Sequence, residues 1–279
     1  MPEPALIITP RRPWFDLKFA EIWRYRDLLF MLVKRDFVSL YKQTILGPLW
    51  FFVQPLLTTL MFTVVFGNIA GLSTEGIPKI LFYLSGITCW TYFADTLTKT
   101  SETFSANANL FGKVYFPREI VPLSVVISNL FKFGIQFLLF LAAWIWFLVR
   151  GEVEPPTLAI VWFPFLLILM AAIGLGAGLL ISSMTTKYRD LRFLLAFGVQ
   201  LAMYATPVIY GAKSVPAEYR LFIDANPVTP IIETFRYGFL GQGDYSLGAL
   251  AYSTACAALL LLLGLITFNR VEQTFMDTV

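Results

Sequence analysis

The chain has no histidine and only two cysteines, Cys89 and Cys256. Without histidine there is no His-based general acid–base chemistry, no histidine zinc triad and no Ser-His hydrolase triad. The cysteines lie far apart in apolar stretches with no CxxC spacing, which indicates neither a metal site nor a disulfide framework. Charge is scarce too. Asp, Glu, Lys and Arg make up 14% of the chain, against about 25% in ordinary soluble domains. The net charge of +3 is too small to argue for a nucleic-acid partner. No phosphate-binding loop is present. The one Gly-Lys pair, Gly112-Lys113, has Asn107 where the first glycine of that loop belongs. GxSxG and HExxH are also missing. The chain therefore reads as neither an ATPase nor a hydrolase, and active transport through it would draw energy from another subunit.

Apolar residues are what the sequence has instead. They make up 57% of the 279 residues, and the mean hydropathy is +0.70. So little polar surface implies lipid as the main solvent. A bilayer core needs about 20 apolar residues per helix. Six stretches are expected to cross: Ile45–Phe66, Ile80–Thr96, Val121–Val149, Leu158–Ser182, Leu191–Tyr210 and Leu247–Phe268. The expected fold is all-α and integral to the membrane. Residues 1–44 form a cytoplasmic N-terminus, 45–268 the six-span domain and 269–279 a cytoplasmic tail. Fifteen Lys and Arg fall on the side of the termini and five on the other, with Lys132 inside span three left out. The positive-inside rule then puts both termini in the cytoplasm. No early apolar run with a small-residue cleavage site occurs, so span one itself should direct insertion.

Three segments between the spans carry further information. Residues Phe19 to Gln43 read as an amphipathic interfacial helix. At 100° per residue Leu29, Phe30, Val33, Phe37, Leu40 and Tyr41 share one arc, and Arg35, Asp36, Ser39, Lys42 and Gln43 oppose it. The segment from Ser101 to Pro122 is too polar to span and too apolar for a linker. Leu110, Phe111, Val114 and Tyr115 would form a short exposed face for a protein partner, or the loop folds back on its own bundle. The outer segment Gly211 to Tyr245 is broken by Pro216, Pro227 and Pro230. It is expected to form two short re-entrant or interfacial helices before the last span.

Within the spans, Gly174 and Gly178 have the small-xxx-small register of close helix packing, and Pro55 and Pro207 should kink spans one and five. Asp95 and Lys132 are the ionisable residues well inside spans, and they are expected either to pair with each other or to leave Lys132 snorkelling toward the interface. A lone acid such as Asp95 makes a poor proton relay. Of the many aromatics, Trp50, Phe51, Tyr92, Phe93 and Tyr204 are candidates to line a channel where rings stack weakly and repeatedly on sugar faces. The alternative for each ring is ordinary packing.

Local patterns then match a known family. Trp23-Arg-Tyr-Arg-Asp-Leu-Leu, Val33-Lys-Arg-Asp and Tyr41-Lys-Gln-Thr-Ile-Leu-Gly-Pro-Leu-Trp50 resemble the opening of ABC transporter permeases that export polysaccharides. Asn109-Leu-Phe-Gly-Lys-Val-Tyr-Phe-Pro-Arg-Glu-Ile-Val-Pro122 is similar to their first cytoplasmic loop, and Asn226-Pro-Val-Thr-Pro-Ile-Ile-Glu-Thr-Phe-Arg236 to their last outer loop. The resemblance implies a homodimeric six-span permease in the bacterial inner membrane, with two nucleotide-binding ATPase subunits as partners. ATP and Mg would be held by the partner, with no cofactor on this chain. The substrate would be an undecaprenyl-diphosphate-linked polysaccharide of O-antigen, capsule or teichoic-acid type. By resemblance, Asn109, Leu110, Phe111, Lys113, Val114, Tyr115, Phe116, Arg118 and Glu119 would belong to a coupling helix in a cleft of the ATPase. Gly112 stands where family members often carry a second basic residue. Arg24, Arg26, Lys34, Arg35 and Lys42 are candidates to hold the lipid diphosphate, since its oxygens suit bidentate Arg and Lys contacts. A secondary carrier or channel would need more buried acids than Asp95, and a membrane-embedded glycan enzyme an acidic site that is not visible.

Overall fold

The computed structural model describes residues 19–278 except 43, 112–115 and 189, and within its helices not the side chains of 19, 20, 40, 41, 109 and 273–278. Among the described residues every regular element is helical, as the composition implies. In chain order these are α1 (Phe19–Arg24), α2 (Arg26–Tyr41), α3 (Trp50–Phe62), α4 (Lys79–Ser101), α5 (Thr103–Ala106), α6 (Ala108–Phe111), α7 (Ile120–Val149), α8 (Phe163–Thr185), α9 (Leu191–Tyr204), α10 (Ala217–Asp224), α11 (Thr229–Leu240) and α12 (Leu247–Thr278).

Among the described residues four helical stretches are long and apolar enough to cross a membrane: Gly47–Ile69, Ile120–Val149, Leu158–Thr185 and Leu247–Glu272. The other two expected spans differ for separate reasons. Helix α4 has 23 residues, but Lys79, Asp95, Lys99 and a run of hydroxyl residues lower its hydropathy. Helix α9 is apolar but only 14 residues long, roughly 21 Å at 1.5 Å per residue.

Helix α4 is the centre of the bundle. Phe82, Tyr83, Leu84, Cys89, Tyr92 and Phe93 are all buried, and α3, α7, α8 and α9 surround it. Helix α8 packs on both α4 and α12, and its glycines set those two distances. A Cβ on Gly178 would lie 2.6 Å from Thr100 Cβ on α4, and one on Gly176 2.6 Å from the Leu260 carbonyl carbon on α12. Gly174 meets Thr96 and Phe93 in the same way. The expected small-residue register is therefore real, and the glycine between the two serves the opposite neighbour.

Proline acts differently at its two sites. Pro55 lies buried inside α3 and the helix continues past it, then widens into a π-helical turn at Thr63–Ile69. Pro207 does not kink span five. Helix α9 stops at Tyr204, consistent with the bias of a residue before proline away from helical geometry.

The N-terminal segment is helical but broken at Tyr25, and its apolar face is rotated from the expected arc. Leu32 and Val33 are buried, while Phe30 and Met31 are exposed. The bundle takes the Leu28, Leu29, Leu32 and Val33 side, packing α2 on α7, with Phe37 stacked on Phe51 at 5.5 Å. Leu40 and Tyr41, also assigned to the arc, have side chains outside the described set.

The segment before α12 forms the two expected short helices. Pro230 opens α11, where a missing N–H costs nothing, and Gly241 closes it at φ +70°, its N–H bonded to the Tyr237 carbonyl. Helix α11 is buried along most of its length.

Candidate functional site

Three places gather polar, charged or aromatic side chains: a buried polar centre at one end of α4, a charged cluster near its other end, and an aromatic cluster at the α5–α6 segment.

The polar centre is built on Arg236 of α11, 1% exposed. Its Nη1 donates to the Pro207 carbonyl at 2.5 Å and to Glu233 Oε1 at 3.2 Å. Nη2 donates to the carbonyls of Val208 at 3.1 Å and Phe82 at 3.4 Å, and Nε to Ser85 Oγ at 3.3 Å. The guanidinium also lies 3.8 Å from the Phe82 ring centroid. Glu233 accepts the Asp244 N–H at its other oxygen. Gly86 leaves room for the guanidinium, since a Cβ there would sit 2.8 Å from Nη2. The arrangement fastens α11, α4, the 205–210 turn and the 241–245 turn to one another. Asn226 completes it by donating to Thr206 Oγ1 and capping the Val228 N–H. In the sequence Arg236 stands out only as the end of the outer-loop motif. The usable signal was Glu233 and Arg236 three apart on an otherwise apolar helix.

The charged cluster joins α4 and α7. Lys132 Nζ donates to Asp95 Oδ2 at 2.6 Å, so the expected pair forms. Lys99 Nζ donates to Asn129 Oδ1 at 3.1 Å, and Asn129 reaches Thr96 Oγ1 at 3.4 Å.

The aromatic cluster gathers Phe104, Phe111, Phe116 and Phe268 with Leu32, Ile120, Val121 and Leu179. Phe104 stacks on Phe268 at 4.5 Å. Phe111 is therefore buried, not exposed on an outward face. Phe116 and Glu119 are buried as well, Leu110 is half-buried against the cluster, and Arg118 Nη1 donates to the Glu272 carbonyl. The reason is spatial: Leu179 of α8 and Phe268 of α12 belong to the same cluster and supply an apolar floor for the segment. Asn109 is helical but its side chain is outside the described set, and Lys113, Val114 and Tyr115 lie outside the described residues.

The proposed channel rings divide. Trp50 and Tyr204 are 45% and 48% exposed. Phe51, Tyr92 and Phe93 are buried: Phe51 against Phe37, Tyr92 against Phe133, and Phe93 against Trp90. A helix has only one face for any partner, and in α4 the neighbouring helices occupy it. The basic candidates Arg24, Arg26, Lys34, Arg35 and Lys42 are all exposed. Arg26 stacks over Trp23, and Arg35 pairs with Asp36 at 2.8 Å. They line one helical segment without converging on a common point. Among the described residues no group of acidic, Cys or His side chains is arranged to hold a metal, and both cysteines are free.

The family model described as "ABC-2 type transporter" matches residues 27–240. An O-antigen export system permease protein of Klebsiella pneumoniae is 29% identical over 255 residues, covering 90% of this chain and 94% of its own length. The O-antigen export system permease protein of Myxococcus xanthus is 27% identical, covering 77% and 81%. The capsule polysaccharide export inner-membrane protein of Neisseria meningitidis is 23% identical, covering 87% and 90%.

Proposed function

The chain belongs to the ABC-2 type transporter family, and on that premise we propose that it is the membrane-spanning permease subunit of an ATP-driven exporter. Its substrate in this reading is an O-antigen-like polysaccharide on an undecaprenyl-diphosphate carrier, moved outward across the bacterial inner membrane. The observation that carries the proposal is near full-length similarity to O-antigen export permeases, on a helical chain with four clear spans and no nucleotide-binding loop of its own. Helices α4 and α9 supply spans two and five. The basic residues at the ends of the spans favour cytoplasmic termini, which puts α10 and α11 on the periplasmic side.

The chain acts as a homodimer beside two ATPase subunits that carry ATP and Mg. Helix α9 has no buried residue in the single chain, and its exposed Phe193, Phe197, Leu201 and Tyr204 form one stripe. That stripe and the exposed side of α3, with Trp50, suit a subunit interface and the channel beside it. The segment from Asn109 to Glu119 couples to the ATPase through Asn109, Leu110, Lys113, Val114, Tyr115 and Arg118. Phe111 and Phe116 support it from inside. The exposed cations of α1 and α2, Arg24, Arg26, Lys34 and Arg35, with Lys42 just beyond, meet the lipid diphosphate or the headgroups. Such a division of labour predicts that deleting this chain in its host removes surface polysaccharide while lipid-linked polymer accumulates inside. Undiminished surface polymer would refute the assignment, and loss of capsule alone would favour the capsule reading suggested by the Neisseria relative.

A further inference from the structure

Two lysines and one carboxylate share the space where α2, α4 and α7 meet. Side chains on a helix lean toward its N-terminus, and α4 and α7 run in opposite directions. Lys99, near the end of α4, therefore leans into the bundle, and Lys132, well inside α7, leans back toward the same level. The charges that face Lys99 are Asp95, Lys132 and Asp36. Asp95 is taken by Lys132 at 2.6 Å and Asp36 by Arg35 at 2.8 Å. Among the described residues no carboxylate oxygen lies within 4.0 Å of the Lys99 ammonium, whose hydrogen-bond partner is the neutral Asn129. The cluster thus keeps an excess positive charge in a half-buried setting, where such a charge is expensive. The cluster is open at its edge, since Lys132 and Asp95 keep 16% and 30% of their side-chain surface exposed.

An excess ammonium that is partly open to the surroundings within a span matches an amphiphile with an anionic head. We propose that Lys99, Lys132 and Asn129 seat one phosphate group of a membrane lipid in the cytoplasmic leaflet, with Asp95 as the resident counter-ion that the phosphate replaces at Lys132. Each ammonium still has N–H donors to spare, and the Asn129 amide adds another. The seat rests on the orientation proposed above, which puts this end of α4 and α7 in the cytoplasmic leaflet. It would serve a phospholipid or a diphosphate-linked carrier alike.

Binding is read on the purified full chain in nanodiscs of neutral lipid, titrated with phosphatidylglycerol and followed by native mass spectrometry. Charge-assisted hydrogen bonds of this kind are worth about tenfold in affinity. Lys99→Met is expected to weaken lipid retention by about that factor, Lys99→Arg to retain it, and Asp95→Asn to strengthen it. The opposite signs matter, because a merely structural cluster would lose stability with either substitution. Melting temperatures of all three variants identify any that fail to fold, and Lys99→Arg keeps the test available if the methionine variant does. Equal retention in Lys99→Met and the native chain overturns the proposal. Displacement of phosphatidylglycerol by millimolar inorganic phosphate alone would mark a free-anion site and overturn the lipid assignment. Labelling of a Glu102→Cys variant from the outer side would refute the orientation and leave the binding result standing.

Discussion

Arg236 presents five N–H donors, and its surroundings present three backbone carbonyls, one hydroxyl and one carboxylate at 2.5–3.4 Å. Lysine cannot reproduce that fork. Removing one member of a buried ion pair strands the other, at a cost of about 3–5 kcal/mol, while replacing both by apolar residues is often near neutral. Arg236→Lys and Glu233→Gln should each lower the melting temperature in detergent sharply, and Glu233→Leu with Arg236→Met should lower it less than either. A double variant worse than the sum of the singles would mean that the pair is not the unit described. Gly178 gives a second test at this scale. Its absent Cβ would overlap Thr100, so Gly178→Val forces α8 from α4, and overpacking of this kind costs about 1–3 kcal/mol. Gly134→Ala meets nothing within 4 Å and should leave folded yield unchanged.

Among the elements, α6 is anchored to the bundle by a single aromatic side chain. Phe111 faces the bundle and packs with Phe104 and Phe116 on a floor to which Leu179 of α8 and Phe268 of α12 contribute. Phe111→Ala empties part of that floor and should destabilise the chain by about 3–5 kcal/mol, the usual cost of truncating a buried phenylalanine. Leu110→Ala should cost less stability than Phe111→Ala and reduce co-purification of the ATPase subunit. Full ATPase retention with Leu110→Ala would assign the segment a structural role only. Helix α2 is two-sided. Leu32 and Val33 face the bundle, and Phe30 and Met31 face away from it, where a membrane interface would receive them.

For the whole molecule, the exposed stripe of α9 is the feature a single chain leaves unexplained. Four large apolar side chains on a helix with no buried residue suit burial against a second copy. Phe197→Glu should convert a detergent-solubilised dimer into monomers without altering its helical content. Light scattering coupled to size exclusion decides this, and a persistent dimer would move the interface elsewhere. The purified chain should hydrolyse no ATP, since its sequence carries no phosphate-binding loop. Activity that survives removal of all ATPase contaminants would overturn the two-subunit reading.

Composition and periodicity determined that this protein is helical, that lipid is its solvent, and where its long apolar helices lie. The glycine register of α8, the two short helices before α12 and the Asp95–Lys132 pair were legible as well. Each depends on local spacing or on the high cost of isolated charge in lipid. Only the tertiary structure decided which face of each helix is used. Phe51, Tyr92 and Phe93 looked like Trp50 and Tyr204 in the sequence, yet neighbouring helices bury the first three and leave the last two exposed. The Arg236 centre was hidden for the same reason. Its acceptors come from segments far apart in the chain, the carbonyls of Phe82, Pro207 and Val208 and the hydroxyl of Ser85. Backbone carbonyls carry no residue-type signature, so only the packing of α11 onto α4 could bring them into view.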